Sequence, residues 1–216
     1  MVYKPSGGDA LVKSGRQEIY CFRGDEALYA AINTYLVDTT WVSRMSWRND
    51  TDATQTVTYS YTTGLTVTKG NEITNGFSLG AEYKGASVKF DHQERVFATT
   101  ETTEAMTVTI NLNVAPRSLL IFYQRRYRFR NSIFFIIDAW GQDWNVGSWG
   151  GSDLSRKECE VEIMSDDYAT LQAELDGTTT GTINVDTVGA VQDAGIARKR
   201  ENCTKRCKSK LEVMGI

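Results

Sequence analysis

The chain has 216 residues, 41% hydrophobic and 24% charged, with a formal net charge of -3. That length can bury a substantial core in one elongated domain or two closely joined ones. The acidic balance argues against nucleic acid as a partner, and no apolar run is long enough for a transmembrane helix, the longest (residues 132–138) being strand-sized.

Residues 1–8 lack the apolar core of a secretory signal, so the chain is either a mature form or leaves its cell by an unconventional route. Residues 25–37 are predicted as one short N-terminal helix: Asp25 can cap it, and Leu28, Ala31, Ile32, Tyr35 and Leu36 recur at helical spacing. Residues 39–47 then read as strand, and 48–53 as a turn.

From Val57 to Val114 the sequence keeps a strict parity. Val57, Tyr59, Tyr61, Leu65, Val67, Ile73, Phe77, Leu79, Ala81 and Tyr83 are odd. After Lys84 and Gly85 the apolar positions are even: Ala86, Val88, Phe90, Val96, Met106, Val108, Ile110, Leu112 and Val114. Alternate side chains of a strand point to opposite faces. A two-residue turn at Lys84-Gly85 therefore puts both sets on one face of an antiparallel pair. Tyr83 then opposes Ala86, Leu79 opposes Phe90, Tyr61 opposes Val108, Tyr59 opposes Ile110 and Val57 opposes Leu112. The opposite face carries Ser, Thr, Gly and charged residues, as a lumen-facing surface requires.

Beyond Pro116, residues 119–123 and 133–140 read as apolar strands flanking a basic stretch with Arg125, Arg126, Arg128 and Arg130. Residues 141–151 form a loop; with Trp140 before it, Trp144 and Trp149 make a candidate receptor or membrane contact, since aromatic rings stack on sugars or settle among headgroups. Residues 158–164 alternate as a half-exposed strand, and 178–188 read as a final Thr-rich strand. The tail from Arg198 is strongly basic and is expected to be solvated or flexible, with Arg198, Lys199 and Arg200 as a candidate activation cleavage site. Cys21, Cys159, Cys203 and Cys207 allow three pairings among which spacing does not choose; with the single histidine, His92, far away in sequence, a structural role or a possible disulfide is favoured over a metal site.

The alternating strand 54–68, the Gly-rich amphipathic stretch 69–97, the returning Thr/Glu run 99–104 and the strand 106–114 together resemble the aerolysin-like family of β-pore-forming toxins, in particular the pore-forming module of lysenin. The resemblance implies a mainly β, elongated fold of long twisted antiparallel strands. It implies a head segment with a short helix over 1–47, pore-forming strands and insertion hairpin over 48–116, remaining β-strands of head and body over 117–197, and a basic tail over 198–216. It further implies a secreted protein that binds a lipid or glycan receptor on a target-cell membrane, assembles as a homo-oligomer and inserts one β-hairpin per protomer. Phe77, Leu79, Ala81, Tyr83, Ala86, Val88 and Phe90 would face lipid, with Lys84 and Gly85 at the tip. His92 and Glu94 fall on the same parity, so they lie near the far interface, are protonated, or mark the limit of the embedded part.

The alternative is a non-lytic, lectin-like β-protein that binds carbohydrate or lipid. No cofactor is expected, and no catalytic residue can be nominated, because any His-dependent constellation would need His92.

Overall fold

The structure is a computed structural model; it describes residues 1–70, 83, 87–90, 93–97, 102 and 105–216. Its strands are β1 (Val2–Pro5), β2 (Ala10–Phe22), β3 (Glu26–Asn49), β4 (Gln55–Lys69), β5 (Ser87–Phe90), β6 (Gln93–Val96), β7 (Met106–Val114), β8 (Ser118–Ala139), β9 (Gln142–Val146), β10 (Arg156–Leu171), β11 (Thr180–Ile183) and β12 (Ala197–Arg198). A 3-10 turn (Arg200–Asn202) and helix α1 (Lys205–Val213) follow. The main sheet runs β11-β1-β3-β8-β10-β4-β7, with β2 also on β3 and β9 joining β8 to β12. The expected mainly β architecture of long, predominantly antiparallel strands is present.

The spine is the antiparallel pair β3–β8, in register from Glu26↔Ala139 to Asn49↔Ser118 with two bulges. Even positions of β3 (Leu28, Ala30, Ile32, Leu36) face the same side as Ile137, Phe135, Ile133 and Phe129 of β8 in the main core. Ala31, Phe134 and Ile136 form a smaller cluster on the other face, covered by Val191. Burial on both faces explains the continuous apolar runs at residues 27–32 of β3 and 133–137 of β8.

The helix expected over 25–37 is the start of β3. Leu28, Ile32 and Leu36 are spaced by four, which satisfies a helical repeat and equally the period of two of a strand. Pairing to β2 on one edge and β8 on the other decides the outcome. The boundary expected between residues 47 and 48 consequently falls inside β3.

The basic C-terminus is likewise ordered structure rather than a solvated tail. Thr204 caps α1, its hydroxyl accepting from the Cys207 amide at 3.1 Å. Cys203, Cys207, Leu211 and Met214 are buried in the main core. Arg200, only 4% exposed, donates to the Ile216 carbonyl at 2.9 Å and the Ser155 hydroxyl at 2.7 Å. All four cysteines are free thiols; Cys21 is exposed, while Cys203 and Cys207 are hydrogen-bonded to each other. If α1 closes the core, Leu211→Ala lowers the unfolding free energy by about 2–5 kcal/mol. A solvated tail would change it by less than ~0.5 kcal/mol; urea denaturation measures the difference.

Candidate functional site

Two regions carry the residues singled out by sequence: the β4–β7 hairpin with the segment between its arms, and the end of the molecule formed by the β8–β9 turn and the C-terminal segment.

The arms of the hairpin are zipped from Gln55↔Val114 to Thr63↔Met106, including Val57↔Leu112, Tyr59↔Ile110 and Tyr61↔Val108, the pairs expected from parity. On the apolar face, the rings of Tyr59 and Tyr61 lie 4.9 and 5.0 Å from Phe122 of β8, which stacks at 5.3 Å on Tyr168 of β10. On the other face an exposed ladder links Thr56 to Asn113 (3.0 Å), Thr58 to Asn111 (2.9 Å) and Ser60 to Thr109 (2.8 Å).

Beyond Thr63 the arms part. Gly64 has φ +152°, and a side chain there would crowd the Ala105 backbone at 3.2 Å. From Gly64 to Lys69 the strand pairs with β10 instead. Gly70 (φ +88°) closes this stretch against β10, where a Cβ would sit 2.7 Å from the Glu158 carbonyl oxygen.

The returning chain departs from the extended parity register. Ser87–Phe90 pairs with Gln93–Val96, so Val88 opposes Arg95 and Phe90 opposes Gln93, where a full-length hairpin would set Phe90 against Leu79. The physical reason lies in what covers the apolar positions in water. Tyr83, Val88 and Phe97 are at most 1% exposed and belong to the main core. The Tyr83 ring lies 5.1 Å from Phe129, and its hydroxyl donates to Asn131 Oδ1 at 3.0 Å. Phe97 meets Tyr127 edge-on at 5.0 Å. Arg95 pairs with Asp166 (2.6 Å) and Asp167 (3.1 Å), and the Asp186 amide donates to the Lys89 carbonyl at 3.1 Å. Burial pushes the Tyr127 phenol above its usual range, so its hydroxyl stays a donor to Asp167 at 3.0 Å. Of the expected inserting residues, Phe77, Leu79, Ala81, Lys84, Gly85 and Ala86 lie outside the described residues, as does His92; Glu94 is exposed on β6.

At the other region the β8–β9 turn consists of Trp140 (φ +53°) and Gly141 (φ +71°), closed by the pair Ala139↔Gln142. Two positive φ angles in a two-residue hairpin loop favour Asn-Gly or Asp-Gly; a tryptophan in the first place costs about 1–2 kcal/mol. It is nevertheless 63% exposed, with the Arg198 guanidinium 4.4 Å above its ring. The same guanidinium lies 5.9 Å from Trp144, whose indole N–H is buried and meets no acceptor. Trp149, also exposed, stacks 5.1 Å from Arg200. Trp140, Trp144, Ala197, Arg198, Lys199 and Asn202 thus line one open groove. On its flank, exposed Phe22 lies under Arg206 at 4.2 Å, and Phe22 shares a second groove with Trp140.

The structure therefore joins the three tryptophans to the basic run that sequence had assigned to cleavage. Arg198 belongs to β12, paired with β9, and Arg200 is buried, so this run is a built part of the fold in which Lys199 is the exposed member. Sequence reading missed the Arg198 stack and Phe22, since β12 and the β2–β3 turn are far from Trp140 along the chain.

No family profile and no curated protein matches the chain in sequence. Among solved structures it is similar to the oligomeric pore-forming toxin pro-Monalysin, at 14% identity and a TM-score of 0.44, over 88% of this chain and 75% of that one. It is also similar to the parasporin-2 Bacillus thuringiensis toxin that recognizes cancer cells, at 15% identity and a TM-score of 0.18, over 74% of this chain and 77% of that one. The functional reading rests on this chain's own strands and surfaces.

The anchoring of the segment predicts a graded response. Tyr83→Phe removes one buried hydrogen bond, about 1 kcal/mol, and should raise the rate of limited proteolysis within residues 84–97 about fivefold while global unfolding shifts little. An unchanged rate would mean that Asn131 does not hold the segment.

Proposed function

We propose that the chain is a β-pore-forming protein that docks on a target membrane, assembles with copies of itself and inserts one hairpin per protomer into a transmembrane barrel. The observation that carries this reading is the register. The base of the hairpin is already zipped so that paired residue numbers add to one constant, and continuing that constant brings the arms together at Lys84-Gly85 with the odd apolar set of the first arm and the even apolar set of the second on one face, Phe97 excepted.

Two steps separate the present fold from that end state. The β5–β6 pairing, four residues per arm, has to open, and Tyr83, Val88 and Phe97 have to leave the core, about 1.5–3 kcal/mol for each side chain moved into water. Lipid offers Tyr83 and Val88 an apolar environment in place of the core, so their loss is offset only where a bilayer is present. The Thr/Ser/Asn ladder would then line water. An isolated hairpin leaves two open edges, which hydrocarbon does not tolerate, so closure needs further copies of the chain. Secretion and action at a target-cell membrane follow from this reading. The alternative, a non-lytic lectin-like binder, draws on the exposed Trp140 and Trp149; it needs no refolding.

Release of a trapped dye from liposomes, with oligomers followed in the same samples, tests the reading. Lys89→Cys with Asp186→Cys joins two positions already linked by a backbone hydrogen bond, within ordinary disulfide reach. The oxidised protein should bind vesicles without releasing dye, and reduction should restore release. Release from the oxidised form would place the spanning segment elsewhere, and binding without release under both conditions would favour the lectin-like reading.

A further inference from the structure

Building on the membrane-docking part of this reading, we infer that the groove between Trp140, Trp144, Arg198 and Lys199 binds the phosphate of anionic phospholipid headgroups, and that this end of the molecule rests on the bilayer.

Charge is the first argument. Among the described residues, neither Arg198 nor Lys199 has a carboxylate within 4.0 Å. The nearby carboxylates have other partners. Glu201 accepts from the Gly150 amide, Glu26 from Tyr20 and Thr204, and Asp25 pairs with Arg206 at 3.6 Å. The last twenty residues carry seven Lys and Arg against Glu201 and Glu212, within a chain whose net charge is negative. Basic side chains flanked by exposed indoles suit an interface in which phosphates lie beside the first methylenes.

Backbone conformation is the second. Trp140 occupies a left-handed position that a small polar residue would fill with less strain, and there it is exposed. An unfavourable backbone state that displays a large ring points to a use for the ring.

Direction is the third. Strand β4 is antiparallel to β10, and β10 to β8, so β4 runs the same way as β8, toward Trp140. Gly64 lies level with Arg126, leaving thirteen residues of β8 ahead of it, about 43 Å at ~3.3 Å each. A hairpin extended from Gly64 to a tip at Lys84 would reach about 66 Å, so about 23 Å would project past Trp140. That is close to the ~25 Å apolar band of membrane barrels. The projecting part runs from about Phe77 to Phe90, the apolar set, and leaves the His92 and Glu94 positions at the headgroups.

The test is flotation with phosphatidylcholine vesicles, with and without 30% phosphatidylglycerol, with dye release recorded in parallel. The native chain should float with the anionic vesicles only. Lys199→Gln, at an exposed position, should weaken binding about fivefold, and Arg198→Gln with Lys199→Gln about thirtyfold. Arg117→Gln, exposed at the opposite end, should leave binding unchanged. Equal flotation with neutral vesicles, undiminished binding by folded Lys199→Gln, or displacement by millimolar inorganic phosphate would overturn the assignment. Binding that depends on Arg198 and Lys199 without dye release upholds this site and removes the pore reading. Release that persists undiminished in the double variant on anionic vesicles removes this site and leaves the pore reading standing.

Discussion

An apolar strand face must be covered, and the rest of this structure depends on how that requirement is met between residues 55 and 114. Near the base, Phe122 and Tyr168 cover Tyr59 and Tyr61, and the arms stay paired. Farther along, β4 crosses to β10 and Tyr83, Val88 and Phe97 tuck against Tyr127 and Phe129. The same alternation that lets the arms zip as one ribbon would leave a long greasy face in water. Tyr83, Val88 and Phe97 are instead hidden in the core, and the pairing of β5 with β6 excludes the extended register.

The other end of the molecule is built to stay in place. Glu26, 3% exposed at the start of β3, accepts hydrogen bonds from Tyr20 of β2 and Thr204 at the cap of α1. Burial, then the hydrogen bond to Glu26, holds the Tyr20 phenol far above its usual range, so it remains a donor at any physiological pH. The folded state therefore favours neutral Tyr20, and this contribution is lost only as pH rises past the ordinary tyrosine range. This polar knot ties the β2–β3 turn to α1, and β12 ties the same segment to β9. The Trp140 turn thus sits on a fixed support, as a docking surface requires.

Parity was legible from sequence because it depends on backbone geometry alone: Val57, Tyr59 and Tyr61 could be placed opposite Leu112, Ile110 and Val108 without knowing the fold. The residue 25–37 segment was not legible, because Leu28, Ile32 and Leu36 satisfy both periods and only the flanking strands choose between them. The basic tail misled through its charge. Its lysines lie on the surface, while Cys207, Leu211 and Met214 recur at helical spacing and enter the core. Of the docking surface, the tryptophans could be seen; the arginine stacked on Trp140 could not, because β12 reaches it only through tertiary pairing.

The proposed insertion requires one segment to be released without loosening the remainder, and the contacts of the described residues are compatible with that requirement. Along β3–β8 more than twenty residue pairs are linked in one ladder, so opening any part exposes backbone and both buried faces at once. Among the described residues, the segment between β4 and β7 adds no strand to that ladder. Its described residues are held by Tyr83, Val88 and Phe97 in the core, by the Arg95 pairs to Asp166 and Asp167, and by a backbone bond from Asp186. Gly64 and Gly70 mark where the backbone of β4 parts from β7 and closes against β10. Local opening draws on regions with few buried contacts. In the proposed reading that region is the one whose alternation suits a second environment, so one sequence would both stabilise the present fold and specify the pairing of the inserted state.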